Sequence, residues 1–192
     1  MKHLLILIVL FSTEFASADF FFEPFIGYKT EAIKLTDLVN SVTEIKAAQP
    51  NYGLKLGFRS STGIDLNLAG ELFSGQASIS SQTEKNKFTH TVGSVQLGVN
   101  SFGLIKMYLG SSFINEFVLE NSSTLQGFKL SGPSFHAGLQ FKFFPKVSLG
   151  LQYTLNQYNT IAGPAYTADS RIETYYSKND TQDYSIYLST TF

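Results

Sequence analysis

From Phe21 onward, apolar and polar residues alternate with a period of two, the signature of strands whose two faces meet different surroundings. Eight such runs stand out: Phe21–Lys29, Asn51–Ser60, Gly63–Phe73, Thr91–Asn100, Leu104–Asn115, Ser134–Phe143, Val147–Asn156 and Asp183–Phe192. The connections after the second, fourth and sixth runs are tight and carry Gly or Pro: Ser60-Ser61-Thr62-Gly63, Asn100-Ser101-Phe102-Gly103 and Phe144-Pro145-Lys146. Those after the first, third, fifth and seventh are long. Long loops on one side and short turns on the other predict an all-β fold, an eight-stranded antiparallel up-and-down transmembrane β-barrel. An even strand count puts both ends of the barrel on the short-turn side.

Alternation alone leaves open which face looks inward, since soluble and membrane barrels share it. Glycine placement decides. Gly27, Gly53, Gly57, Gly98, Gly110, Gly138 and Gly150 lie on the polar parity, with Gly70 and Gly93 as exceptions. A water-facing surface has little use for strand glycines, which weaken strands. A narrow eight-stranded interior needs them between long side chains. The polar parity is therefore the lumen, and Tyr52, Leu54, Leu56, Phe58, Phe135, Leu139, Phe141 and Phe143 face lipid. On that parity Phe22, Phe58, Phe143 and Phe192 fall near the short turns, and Tyr28, Tyr52 and Tyr184 near the long loops, as in two interfacial girdles.

The N-terminus changes the picture of where the chain goes. Met1-Lys2-His3 is basic, Leu4 to Phe11 is apolar, and Ala16-Ser17-Ala18 is a small-x-small cleavage site. The expected organisation is a signal peptide over 1–18 and one outer-membrane β-barrel domain over 19–192. The apolar run is too short for a spanning helix. Absence of cysteine removes disulfides, thiol catalysis and cysteine-bound metal. A net charge of −1 gives no reason to expect nucleic acid as a partner. Aromatic residues at 15% suit a surface that meets lipid.

The final run, Asp183-Tyr-Ser-Ile-Tyr-Leu-Ser-Thr-Thr-Phe192, puts Tyr184, Ile186, Leu188 and Phe192 on one parity. It resembles the terminal assembly signal of bacterial outer-membrane barrels, with Thr190 departing from the apolar residue common at that place. With the signal peptide, strand count, loop asymmetry and the opening Phe22-Glu23-Pro24-Phe25-Ile26-Gly27-Tyr28, the chain resembles the small outer-membrane β-barrel superfamily, of the OmpA-transmembrane, OmpX and OmpW type. The resemblance implies the cell outer membrane as location. Its implied partners are outer-membrane lipid, the outer-membrane assembly machinery and a surface ligand held by the loops. It carries no catalytic residues, and no cofactor is expected. No periplasmic peptidoglycan-binding domain is expected after the last run.

Candidate chemistry lies in the lumen and the loops. The lumen parity brings Glu23, Asp65, Glu71 and Asp183 against Lys55, Arg59, Lys106 and Lys142, with His136 and several amides beside them. Unpaired charge in a narrow interior is costly, so these residues are expected to form a paired network that plugs the barrel rather than a mixed-charge pore. Ser134 and His136, two apart on one face, are the one nucleophile–base pair, with Glu116 as a carboxylate to orient the histidine. No oxyanion hole accompanies them, and an enzyme is not expected. His90 lies near loop two, and no two histidines have metal-ligand spacing.

Loop one, about Thr30–Pro50, has Leu35, Leu38, Val39, Val42 and Ile45 at helical spacing, which leaves open a short amphipathic helix capped by Thr36 or a loop without regular structure. Loop two, Ser74–Lys87, is Ser/Gln-rich and expected to be mobile. In loop three, Phe117-Val-Leu119 and Phe128-Lys-Leu130 are expected to pair across Asn121–Thr124. Loop four, about Gln157–Gln182, offers Tyr175 and Tyr176 either for partner contact or for packing on loop three. The leading function is a structural or surface-interaction barrel with a closed lumen. The alternatives are a narrow channel for small hydrophobic or polar solutes and a lipid-modifying enzyme.

Removing the Phe192 side chain costs about 1–3 kcal/mol of apolar burial, which a barrel survives. Phe192→Ala should therefore refold almost normally in detergent yet insert poorly in cells, measured as barrel recovered from outer membranes. Full insertion of that variant would remove the signal role.

Overall fold

The computed structural model describes residues 18–80, 82–120 and 126–192, without the side chains of 167–169. The signal-peptide segment, apart from Ala18, and the Asn121–Thr124 turn lie outside these residues. Among the described residues eleven strands run β1 (Asp19–Asp37), β2 (Val42–Arg59), β3 (Ile64–Ile79), β4 (Lys85–Ser101), β5 (Ile105–Leu119), β6 (Phe128–Ser131), β7 (Ser134–Lys142), β8 (Val147–Asn156), β9 (Thr160–Gly163), β10 (Tyr166–Arg171) and β11 (Tyr176–Thr190). Eight of them, β1 to β5 with β7, β8 and β11, pair antiparallel with their neighbours and close on themselves through β1–β11 and β5–β7. A closed antiparallel sheet leaves no unpaired edge, which is what a hydrocarbon surrounding demands. No helix among the described residues is long and apolar enough to cross a membrane.

The short turns are as the sequence predicts. Ser60 and Gly63 bridge β2 to β3, with Gly63 at φ 86° and the Gly63 N–H donating to Ser60 O at 3.0 Å. The β4–β5 turn holds Phe102 at φ 52° and Gly103 at φ 68°, both left-handed, which matches the twist of the strands it joins. At this end the backbones of Phe22 and Phe192 exchange two hydrogen bonds, of 2.9 and 3.1 Å, and their rings lie 6.1 Å apart.

The long-loop side differs from the expectation. Loop one holds no helix. The first strand runs on to Asp37, turns through Leu38–Ser41 with Asn40 at φ 65°, and returns from Val42. Asp37 Oδ1 accepts from the N–H groups of Val39 and Ser41 and fixes that turn. The helical spacing arose because one apolar set spans two strands and the turn between them. Leu35 and Ile45 point inward, whereas Leu38, Val39 and Val42 are exposed at the tip. Loop two is likewise mostly strand, to Ile79 and from Lys85. The loop-three hairpin is present: Phe117 pairs with Leu130, Val118 with Lys129 and Leu119 with Phe128. Loop four folds as the β9–β10 hairpin and a 3-10 turn, Ile172–Thr174, with β9 laid on β6.

One parity stays inward along β1 to β4, β7, β8 and β11, and β5 shifts parity at the irregularity between Ser112 and Ile114, while the chemistry of both faces changes. In β1 the inward set reads Phe21, Glu23, Phe25, Lys29, Glu31, Ile33, Leu35, and the outward set Phe20, Phe22, Ile26, Tyr28, then Thr30, Lys34 and Thr36. The lower half is apolar outside and largely polar inside. The upper half is polar outside and holds a buried apolar core of Ile33, Leu35, Ile45, Phe73, Phe88, Phe117, Leu119, Leu130 and Ile161 inside. Phe73 meets Phe88 edge-on at 4.9 Å, and Phe88 stacks on Phe117 at 5.5 Å. The lower belt meets lipid and the upper wall meets water.

Such a barrel resists detergent because its backbone groups are paired within the sheet. An unboiled sample should migrate differently from a boiled one in a denaturing gel. Equal migration, with solubility in the absence of detergent, would contradict a membrane barrel.

Candidate functional site

The lumen is filled in layers. At the short-turn mouth, Arg59 of β2 donates to Asp65 of β3 through Nε at 2.7 Å and Nη2 at 3.0 Å, and Lys106 Nζ of β5 lies 2.7 Å from Asp65 Oδ2. The Phe21 ring sits 5.2 Å from the guanidinium and 5.1 Å from the Lys106 ammonium. Above it, Lys55 is 3.4 Å from Glu23. Gln140 Nε2 donates to Glu23 Oε1 at 2.9 Å and to Ser189 at 2.7 Å.

The second layer is aromatic. Lys55 Nζ lies 4.7 and 4.6 Å from the rings of Tyr108 and Tyr187 and donates to Tyr187 Oη at 2.9 Å. The two tyrosine hydroxyls are 2.9 Å apart, and Tyr108 donates to Gln152 at 2.9 Å. Tyr108 faces Gly138 across β5–β7, and Tyr187 faces Gly150 across β11–β8. A Cβ at Gly138 would overlap the Tyr108 ring, and one at Gly150 the Tyr187 ring. These lumen glycines make room for the rings laid over them.

The third layer joins Lys29 of β1 to Glu71 of β3 and Asp183 of β11, each at 3.1 Å. Asn51 Nδ2 donates to Glu71 and Asn156 Nδ2 to Asp183. Beside them His90 Nδ1 of β4 is 2.9 Å from Glu31 Oε2, and its Nε2 is 2.7 Å from Asn115 Oδ1. Tyr158 Oη donates to Glu31 Oε1 at 3.1 Å. The apolar core closes the barrel above.

The sequence-derived lumen residues divide as follows. Glu23, Lys55, Arg59, Asp65, Glu71, Lys106 and Asp183 all enter ion pairs inside the barrel. Lys142 does not join them. It keeps the lumen parity but ends β7 at the mouth, where its side chain is exposed. Lys29 and Glu31, read from sequence as a strand end and a loop, are buried at the centre of the third layer. Extending the β1 parity two and four residues past Gly27 reaches both.

Ser134 Oγ and His136 Nε2 are 3.2 Å apart, but His136 Nδ1 faces Thr154 Oγ1 at 3.0 Å. Glu116, the carboxylate expected to orient the histidine, pairs instead with Lys129 at 2.6 Å in the upper wall. Both candidate residues are buried in the lumen network. Tyr184, Ile186 and Leu188 are outward and exposed along β11, and Phe192 is exposed two residues past its end. Above the belt, hydrogen bonding with Lys46 holds the Glu44 carboxyl below its usual range, with Lys34 3.6 Å away. Burial and a bond to Tyr166 push the Tyr176 hydroxyl up.

No protein-family model and no curated protein matches the sequence. Among solved structures, the chain is similar to Ail, the attachment invasion locus protein of Yersinia pestis, solved with the heparin analogue sucrose octasulfate. Identity is 12%, coverage 91% of this chain and 99% of that one, and the TM-score 0.56. Outer membrane protein AlkL in DMPC bilayers aligns at 12% identity over 90% of each chain, with a TM-score of 0.54. Neisserial surface protein A aligns at 12% identity over 92% of this chain and 99% of that one, with a TM-score of 0.51. These likenesses show the fold, that of the small outer-membrane β-barrels, and the apolar belt is the surface such a barrel gives to its membrane.

Lys29 is the cation between two buried carboxylates. Lys29→Met should lower stability by roughly 3–5 kcal/mol, the usual effect of breaking a buried pair, seen as a fall in denaturant midpoint in detergent. Lys142→Met, at the open mouth, should leave that midpoint almost unchanged.

Proposed function

We propose that this is an integral outer-membrane barrel with a closed lumen that serves as a surface-interaction protein. The observation that carries the reading is the filling of the lumen at every level. Asp65 with Arg59 and Lys106, Lys55 among its aromatic rings, Lys29 between Glu71 and Asp183, and the apolar core succeed one another along one axis. A solute following that axis would have to separate buried ion pairs and then displace packed aromatics. Eight strands enclose little more than side chains in any case.

Function then belongs to the part outside the membrane. The β1–β2 hairpin rises about 30 Å of strand beyond Tyr28. At its tip Leu38, Val39 and Val42 are exposed, in a turn braced by Asp37. An apolar tip on a rigid stalk suits contact with a protein or cell surface. The outer wall carries Lys34, Lys46, Glu44, Lys178 and Asp180 in mixed sign, which favours short-range contact over capture of a polyanion.

Planar-bilayer recording tests the closed lumen. The parent should show no steady conductance. A stable, uniform channel would overturn this reading in favour of a solute pore. Lys106→Ala should not by itself open the barrel, because Arg59 keeps both of its bonds to Asp65. Cells displaying the barrel should adhere to epithelial monolayers better than cells without it, and Leu38→Asp with Val39→Asp should remove the gain. Equal adherence with and without the barrel would count against a surface role.

A further inference from the structure

We propose that Glu31, His90 and Asp183 form a binding site for a divalent first-row metal ion, Zn2+ by ligand type, inside the upper barrel. One ligand atom from each lies within 4.8 Å of the others, and all three side chains are buried. They come from β1, β4 and β11, so only barrel closure brings them together. Bonds of about 2.0–2.2 Å place two ligands of one ion no more than about 4.4 Å apart, so a small side-chain adjustment completes the set.

Three independent features point the same way. First, each ligand has the outer partner that metal ligands ordinarily have. His90 Nε2 faces Asn115 Oδ1 at 2.7 Å, which turns the lone pair of Nδ1 toward the carboxylates. Tyr158 donates to Glu31 Oε1, and Asn156 donates to Asp183 Oδ2 at 2.8 Å. Second, Asp183 Oδ1 is buried and has no hydrogen-bond partner among the described residues. With Nε2 as the donor to Asn115, Nδ1 and Glu31 Oε2 are two acceptors 2.9 Å apart, which require a positive species between them. Third, among the described residues the layer holds Glu31, Glu71 and Asp183 against the one ammonium of Lys29, an excess of two negative charges. A divalent ion cancels that excess. A proton on His90 cancels half of it and leaves Asp183 Oδ1 unmatched. Lys29 stays on Glu71 and on the far oxygen of Asp183, and so stands beside the ion rather than in its place.

The surroundings suit a structural ion. The Phe117 ring is 6.0 Å from the His90 ring and Tyr158 6.4 Å, and the apolar core lies above. The three side chains are shut off from bulk solvent, and the ion would tie three strands together with outer bonds to β5 and β8.

The test uses barrel protein without an affinity tag, purified from outer membranes, unfolded in urea with a chelator and refolded in detergent with Zn2+, Mg2+ or neither. Loose metal is then removed and the folded fraction read by gel shift. The parent should retain one equivalent of Zn2+, not Mg2+, and its denaturant midpoint should rise with Zn2+. His90→Gln and Asp183→Asn should lose both the retained zinc and the rise. If neither variant folds, Cu2+-loaded parent examined by electron spin echo should report a coordinated imidazole. Zinc content in the parent no higher than in folded variants, or retained copper without an imidazole signal, overturns the site. Conductance is not read in this experiment, so its outcome is separate from that of the closed-lumen reading.

Discussion

Everything in this barrel follows from a change of medium along its own wall. Each strand keeps one face inward from end to end, because closure fixes it. Where β5 carries an extra residue at Phe113, its parity shifts to preserve that face. The outside does not stay constant: it is lipid over the lower half and water over the upper. Where lipid covers the wall, apolar residues go out and the polar ones are forced into a narrow interior, where they must pair. Where water covers it, the polar residues go out and an apolar core forms inside. Lys29 and Glu31 mark the level at which the two regimes meet, which is why the most crowded polar layer lies directly under packed phenylalanines.

That inversion also explains how much could be read in advance. The lower half alternates as a membrane strand should, and its eight runs, tight turns, lipid face and most lumen charges were legible from parity and glycine alone. The upper half alternates just as regularly but with the opposite chemistry. A reading keyed to apolar-out loses the strand at Thr30 and finds apparent helix in Leu35, Leu38, Val39, Val42 and Ile45. These residues alternate correctly once the hairpin is seen, with Leu35 and Ile45 inward and the others at the tip. The Ser134–His136 contact was visible as a spacing of two. Its orienting partner was not, because Thr154 reaches His136 through β7–β8 register, which no single segment encodes.

The polar interior also depends on size matching that charge alone does not describe. Tyr108 and Tyr187 occupy the space left by Gly138 and Gly150 on the facing strands and hold Lys55 between them. A large ring over a cross-strand glycine fills the lumen without straining the wall. The same layer separates the ion pairs at the mouth from those of the upper barrel, so the two charged clusters sit in different surroundings. One opens toward a polar vestibule of about 370 Å³ lined by Arg59, Lys106 and Lys142, whereas the other lies under apolar cover.

The backbone exchange between Phe22 and Phe192 joins positions separated by nearly the whole chain. Every other seam of the lower barrel links strands much nearer in sequence, and most are hairpins that can form locally. Closing this one has the largest loop entropy to overcome, although that cost grows only with the logarithm of length. The topology therefore carries a built-in order: hairpins first, the cylinder last. Until the final strand docks, β1 has an unpaired edge, and the nascent sheet has to be shielded from lipid or from other chains at that single line.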